Sequence, residues 1–544
     1  MLQIITENGL FERTGRSPSY SVKLGCLRLQ PAYNGRARDA GPPPDARSPQ
    51  LANATEDGGY AVTEQAKTYQ RGSLTVQCER EPQIRGGLRM ILERITSTGL
   101  AHNSYFIGAG SDAAVVDPRR DCDIYLDMAR DAELTIRYIF ETHRNEDYVA
   151  GSTELGNLTG AEIFHGPGLK WKYGTQLHDD QQFKLGNLML TALHTPGHTD
   201  ESMSYAVAQA KGEVTLAVCS GDALFAGDVG RTDLYGPSEA RRLASTLYDS
   251  IFGRILPLGD ATILCPAHGA GSVCGTRIAD RDHTTLGVEK KLNPFLRLGK
   301  DEFVERKLAE RPEHPPYFSQ MEVYNLEGAP LLKNVMAPPP LSTREFSALL
   351  DAGAIVIDTR EPPAFGGAHI EGSYSIWLEG LPSFAGWFMP YDKQITLLLE
   401  DASHLAKAKQ YLLRLGYDNI AGYLRGGLES WYNAGLAIET TALSSVHRLK
   451  KMLDAGEDIQ VLDVRDESEW ESGHVKGATH IYVGQLENRA NEIPSDQAIA
   501  TFCTVGHRAG IAASILERTG HSRVQNVLGS YLAWRAAGFP VTKD

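Results

Sequence analysis

The stretch ETHRNEDYVAGS, residues 141–152, follows TIRYIF, residues 135–140, a run of mostly β-branched and aromatic residues. Such a run is a strand, and it delivers His143 to a loop that also carries Asn145, Glu146, Asp147 and Tyr148. Polar side chains on a loop at the end of a rigid strand are the usual construction of a catalytic or metal site. The pattern recurs downstream. LMLTALHTP, TLAVCSGDALF and ATILCPAHG are apolar strands, each running into a loop with His or Asp, and these loops hold His198, Asp222 and His268. Between the first strands, CDIYLDMARDAEL has helical spacing. The region 88–325 therefore reads as one α/β domain.

The chain has 544 residues, too many for one hydrophobic core. Lys+Arg 54 against Asp+Glu 68 leaves a net charge of -14, which argues against nucleic acid or an anionic membrane as the main partner. Seven cysteines are few and odd in number, which suits a reducing compartment better than a disulfide framework. The opening MLQIITENGLFERTGRS has no signal pattern, and no apolar run is long enough to span a bilayer. A soluble, cytoplasmic protein is expected. Residues 1–87 include NGRARDAGPPPDARSPQLANATEDGGY, too poor in apolar surface to offset its ordering entropy, so disorder is expected there. The segment is either a regulatory tail or the product of an upstream start codon, with Met90 nearer the true beginning.

After the proline-rich RPEHPPYF and NVMAPPPLS, with a linker at 326–339, the chain repeats itself. AIVIDTREPPAFGGAHIEGSYSI (354–376) matches IQVLDVRDESEWESGHVKGATHI (459–481), so that Asp358, Arg360 and His369 fall on Asp463, Arg465 and His474. The ends also match, GGLESWYNAGL against GSYLAWRAAGF. Two copies of one small α/β domain follow, at 340–442 and 443–544. In the second, QAIATFCTVGHRAGIAASILERTG puts Cys503 at a strand end before a tight loop and a helix. Backbone N–H groups, a helix N-terminus and Arg508 would all favour a sulfur anion. In the first copy, QITLLLEDASHLAKAKQYLLRLGY has no thiol, and Glu400 and Asp401 lie where the cysteine loop should be. That copy is expected to be catalytically dead, with a packing or docking role.

The Asp-x-Arg strand, the GHVKGATHI segment, the Cys503–Arg508 loop and the Trp-x-x-x-Gly ending resemble the rhodanese family of sulfurtransferases, whose domains are α/β with parallel sheets. The resemblance makes Cys503 the persulfide carrier and Arg508 part of its anion cradle. Tyrosine phosphatases also use a Cys…Arg loop, but with five residues between; here only Thr504, Val505, Gly506 and His507 intervene.

The four pieces THRNEDY (142–148), TPGHTDES (195–202), SGDALFAGDVGRTDLYG (220–236) and CPAHGAGS (265–272) resemble, in order and content, the metallo-β-lactamase fold, an αββα sandwich. GDVGRTDLYG and the attached repeat narrow the likeness to persulfide dioxygenases. The usual loop is His-x-His-x-Asp-His; Asn145 and Tyr148 replace two of its histidines, which damages a two-zinc hydrolase site on both sides. His143, His198 and Asp222 survive, and two histidines with one carboxylate suit non-haem Fe(II). The resemblance implies one Fe(II) per chain on these three, with zinc as the alternative. Asp147, Tyr148 and His268 become supporting positions, with His268 split between ligand and support. Arg231 is implied near the substrate, against an alternative in which it pairs with Asp228 or Asp233. His194, Cys219, Cys265 and Cys274 are expected to be structural.

The function so implied is Fe(II)-dependent oxidation of a low-molecular-weight persulfide, glutathione persulfide or similar, by O2 to sulfite. Sulfur transfer through Cys503, involving thiosulfate, would place the protein in sulfide and sulfane-sulfur metabolism. A homodimer is expected by resemblance alone. The alternatives are a zinc-dependent thioester hydrolase of the glyoxalase II type, and a sulfur carrier whose first domain is not enzymatic.

Overall fold

A computed structural model of the chain describes residues 71–77, 89–210, 214–275 and 277–543. The first domain is two sheets face to face. One has seven strands in sequence order, from Arg71–Gln77 to Thr175–Gln176; the other has six, with Gln182–Leu185 at one edge and Thr284–Thr285 at the other. Met90, Tyr105, Ile107, Phe140, Leu190, Tyr205 and Cys219 fill the space between them. Helices Asp123–Asp131 and Ser152–Thr159 cover the outside of the first sheet, and helices Pro237–Ser250 and Lys300–Leu308 the outside of the second. This is the αββα sandwich. Most of the 1–87 segment expected to be disordered lies outside the described residues. Part of it departs from the expectation: Arg71–Gln77 pairs antiparallel with Arg89–Ser97 and completes an edge.

Each repeat is a five-stranded, wholly parallel sheet with the same strand order. The register fixes the position of the missing thiol. Asp358 pairs with Leu398 as Asp463 pairs with Phe502, so Leu399 stands in the place of Cys503. Leu399 is buried in the core, and Glu400 and Asp401 fall on the loop beyond it.

A single apolar cluster joins all three domains. It contains Tyr148, Tyr317 and Met321 from the first, Tyr374, Leu381, Leu399 and Tyr417 from the first repeat, and Leu462, Ile481 and Ile511 from the second. Ion pairs border it. Arg120 donates twice to Asp418, and Asp121 accepts twice from Arg414 and once from Gln410, with Arg119 also 3.0 Å away. Among the described residues no helix is long and apolar enough to cross a membrane. Asp121→Ala would strand two buried guanidinium groups, and should destabilise the protein by about 3 kcal/mol. Urea or thermal unfolding that is unchanged in the variant would contradict this use of the interface.

Candidate metal centre and sulfur site

His143, His198, Asp222 and His268 all follow the C-terminal ends of strands, and the two sheets bring these ends to one rim of the sandwich. Ligand atoms of His143, Glu146, His198 and Asp222 lie within 4.8 Å of one another, and each residue is 0–2% exposed. Nε2 of His198 is 3.1 Å from Glu146 Oε1 and 3.6 Å from Asp222 Oδ2; Nε2 of His143 is 3.7 Å from Glu146 Oε2 and 3.9 Å from Asp222 Oδ2.

The tautomers are set from behind. The Thr142 hydroxyl donates to Asp117 Oδ2, so it accepts from His143 Nδ1 at 2.9 Å. His198 Nδ1 is 2.9 Å from the Arg231 carbonyl, which can only accept. Both rings therefore carry hydrogen at Nδ1 and turn Nε2 inward, the usual role of outer partners around ligating histidines. Gly221 permits this. Its φ is +54°, and a Cβ there would come 2.7 Å from Thr142 Cβ.

His268 serves Asp222. Its Nδ1 donates to Asp222 Oδ1 at 2.8 Å, and its Nε2 lies 2.8 Å from Asp147 Oδ2. Burial pushes this ring down, but the Asp147 and Asp222 carboxylates outweigh it and hold the pKa well above the ordinary range. A second donor group, Asp147, His268 and Cys274, thus lies beside the first. The neighbouring Tyr148 turns away, stacking on His102 at 3.8 Å within the shared core.

Arg231 follows the second of its two expected roles, pairing with Asp233 and not standing free for a substrate carboxylate: it is 1% exposed and donates to both oxygens of Asp233 and to the carbonyls of Val273 and Glu313. Two other placements differ from the sequence reading. Cys274 is buried, as a structural cysteine would be, but its Sγ is 3.5 Å from Glu146 Oε1, at the metal cluster. Glu146 itself was not singled out; the signal was a carboxylate one residue past the lost histidine at 145.

At the second site, Cys503 Sγ accepts from the Gly506 N–H at 3.0 Å, where Gly506 has φ +110° and begins helix His507–Arg518. Arg508 does not donate to the sulfur. It pairs with Glu469 at 2.7 and 2.8 Å and with the Thr504 hydroxyl, because Glu469 is the nearest carboxylate. Burial would raise Glu469, but Arg508, Asp466 and Thr504 outweigh it and bring its pKa down to about 2. The first repeat braces the same loop: Trp377 stacks on His507 at 4.6 Å, and His507 Nε2 is 3.0 Å from Glu361.

A model of the metallo-beta-lactamase superfamily matches residues 97–268, and a model of the rhodanese-like domain matches 342–434 and again 445–537. A metallo-beta-lactamase structure from Staphylococcus aureus is 30% identical, covering 62% of this chain and 98% of that one, with a TM-score of 0.55. The chain belongs to the metallo-β-lactamase superfamily and carries two rhodanese-like domains. An uncharacterized protein of Mycobacterium tuberculosis is 29% identical over 36% of this chain and 93% of its own length. Hydroxyacylglutathione hydrolase GloC of Haemophilus influenzae is 28% identical over 38% of this chain and 98% of its own length.

The donor set of the metallo-β-lactamase domain fits a divalent cation. His143 Nε2, His198 Nε2, Glu146 Oε2 and Asp222 Oδ2 are buried without any hydrogen-bond partner, an arrangement that needs positive charge at its centre. Burial alone would lower His198, but Glu146 and Asp222 outweigh it and raise its pKa to about 9. In the metal-free protein a proton therefore stands in for part of that charge. Metal binding at pH 7 should release about one proton from this ring, and affinity should rise with pH and level off near 9. Calorimetry in buffers of different ionisation enthalpy measures this; zero proton release would refute it. Thr142→Val should weaken metal binding roughly 10- to 100-fold by freeing the His143 ring.

Proposed function

We propose that this protein is a persulfide dioxygenase joined to a sulfurtransferase. It would oxidise a low-molecular-weight persulfide, such as glutathione persulfide, to sulfite: RSSH + O2 + H2O → RSH + sulfite + 2 H+. The observation that carries the reading is the buried pair of histidines with Asp222, a ligand type suited to Fe(II). Bound there, Fe(II) supplies the redox chemistry with O2. The protein's own part is to present two Nε2 atoms and Asp222 Oδ2 in fixed directions and to keep bulk water out of a cluster that is almost fully buried. His268 holds the outer oxygen of Asp222 with its proton.

In the second rhodanese domain the Cys503 thiolate would attack the outer sulfur of a persulfide or of thiosulfate. The new S–S bond forms as the old one breaks, leaving thiol or sulfite as the leaving group. The Gly506 N–H and the start of helix His507–Arg518 stabilise the anionic sulfur. The first rhodanese domain, with Leu399 in place of cysteine, acts as a brace through Trp377 and Glu361.

One further reading has a specific observation behind it. The likeness to GloC and the second donor group of Asp147, His268 and Cys274 favour a two-zinc thioester hydrolase. The test is O2 uptake by Fe(II)-loaded protein given glutathione persulfide, beside His143→Ala and Cys503→Ser. Uptake should vanish with His143→Ala and persist in Cys503→Ser. No uptake by iron-bound protein, with two zinc ions per chain and thioester cleavage, would establish the hydrolase instead.

A further inference from the structure

Each inward-facing atom of the metal cluster has a sibling that is tied down from outside. The rings of His143 and His198 are held at Nδ1 by Thr142 and by the Arg231 carbonyl. Asp222 is held at Oδ1 by the His268 N–H. Glu146 follows this plan in part: Oε1 accepts from the Cys274 thiol at 3.5 Å while also facing His198 Nε2 at 3.1 Å, and Oε2 is left with no hydrogen-bond partner. A carboxylate placed only to balance a charged histidine has no reason to keep one oxygen bare at 1% exposure.

The spacings agree. Two ligands each about 2.1 Å from one ion stand about 3.0–3.9 Å apart for angles from about 90° to about 135°. The facing atoms of the cluster are separated by 3.1 Å (His198 to Glu146 Oε1), 3.6 Å (His198 to Asp222), 3.7 Å (His143 to Glu146 Oε2) and 3.9 Å (His143 to Asp222). The backbone explains how residue 146 reaches inward. Asn325 binds the carbonyls of Asn145 and Tyr148 and accepts from the Ala150 N–H, which fixes the loop, while the Asn145 side chain donates back to the His143 carbonyl.

We infer that Glu146 is a fourth protein ligand of the cation, occupying the place left by the missing histidine at 145, with the Cys274 thiol orienting the carboxylate through Oε1. The inference rests on the reading that this domain holds a divalent metal, and not on which reaction the metal serves. Two carboxylates neutralise a dipositive ion, whereas Asp222 alone leaves one net positive charge. An ion that accepts six ligands would keep two positions for exogenous groups rather than three. Thiolate-bearing substrates would then meet a neutral centre with room for one sulfur atom beside one small molecule. Cys274, unused in the proposed reaction, becomes a positioning residue.

The experiment is anaerobic titration of the metal-free full-length protein with Co(II), read by its visible d–d absorption, for wild type, Glu146→Ala, Glu146→Gln and Cys274→Ser. Removing the Glu146 carboxylate should weaken Co(II) binding at least about tenfold and shift the d–d bands, with the isosteric Glu146→Gln showing the same direction. Cys274→Ser should leave the bands near wild type, since its hydroxyl can donate to the same oxygen. Thermal unfolding of the metal-free forms checks folding; if Glu146→Ala does not fold, Glu146→Gln carries the test. Affinity within twofold of wild type and identical bands in Glu146→Gln would overturn the inference. Failure of wild type to bind Co(II) or Fe(II) at all would overturn it together with the dioxygenase reading. A Glu146-dependent spectrum in a protein that consumes no O2 with persulfide would uphold the ligand and remove only the dioxygenase.

Discussion

The segment from Asn145 to Ala150 is buried yet belongs to no helix or sheet, so its peptide groups must find partners one by one. Asn325 supplies three of them, from a helix at the end of the metallo-β-lactamase domain. The Val149 N–H goes to the carbonyl of Arg414, in the first rhodanese domain. The conformation of the metal loop is thus specified by elements about 180 and about 265 residues away in sequence. This also accounts for the tight docking of a repeat that has lost its thiol. Its helix Leu405–Arg414 closes the loop from outside, and the Arg414 and Arg120 pairs with Asp121 and Asp418 fix the angle at which it does so.

Electrostatics then divides the labour around the loop. Outer atoms of the cluster meet donors and acceptors chosen so that each inner atom keeps its lone pair. The arrangement is costly without a cation, because four acceptors in a dry cavity repel one another. The proton on His198, and a charged His268 ring that faces Asp222 from Nδ1 and Asp147 from Nε2, relieve it in the metal-free state. The sulfur site uses a weaker version of the same physics. There a backbone N–H and a helix terminus face Cys503, while the strong cation nearby, Arg508, is already neutralised by Glu469. A sulfur anion at Cys503 would therefore face dipoles and not a free guanidinium.

Much of this was legible in the sequence where local pattern governs. Short strands ending in His143, His198, Asp222 and Cys503, and a repeat with matching Asp, Arg and His, are statements about periodicity and spacing. Side-chain direction was less accessible. Arg508 reads as an anion binder and Arg231 as either a substrate contact or a partner of Asp228 or Asp233, but a guanidinium pairs with whichever carboxylate the fold brings closest: Asp233, two residues on, and Glu469, thirty-nine residues back. Glu146 was passed over because loop residues have no fixed periodicity, and only the Asn325 clamp shows which of them turn inward. Likewise strand register, not sequence alignment, put Leu399 in the cysteine position.

The sequence by itself determined the doubled domain, the one thiol loop and the strand ends that bear the donors, because these rest on local pattern and spacing, while the αββα class and the parallel sheets entered through the resemblance to known families. The tertiary structure alone decided that Glu146 joins the cluster, that Cys274 and His268 brace its carboxylates, and that the two arginines are spent. Those outcomes depend on which buried groups meet across domains, where an unpaired charge is expensive and the nearest partner takes it.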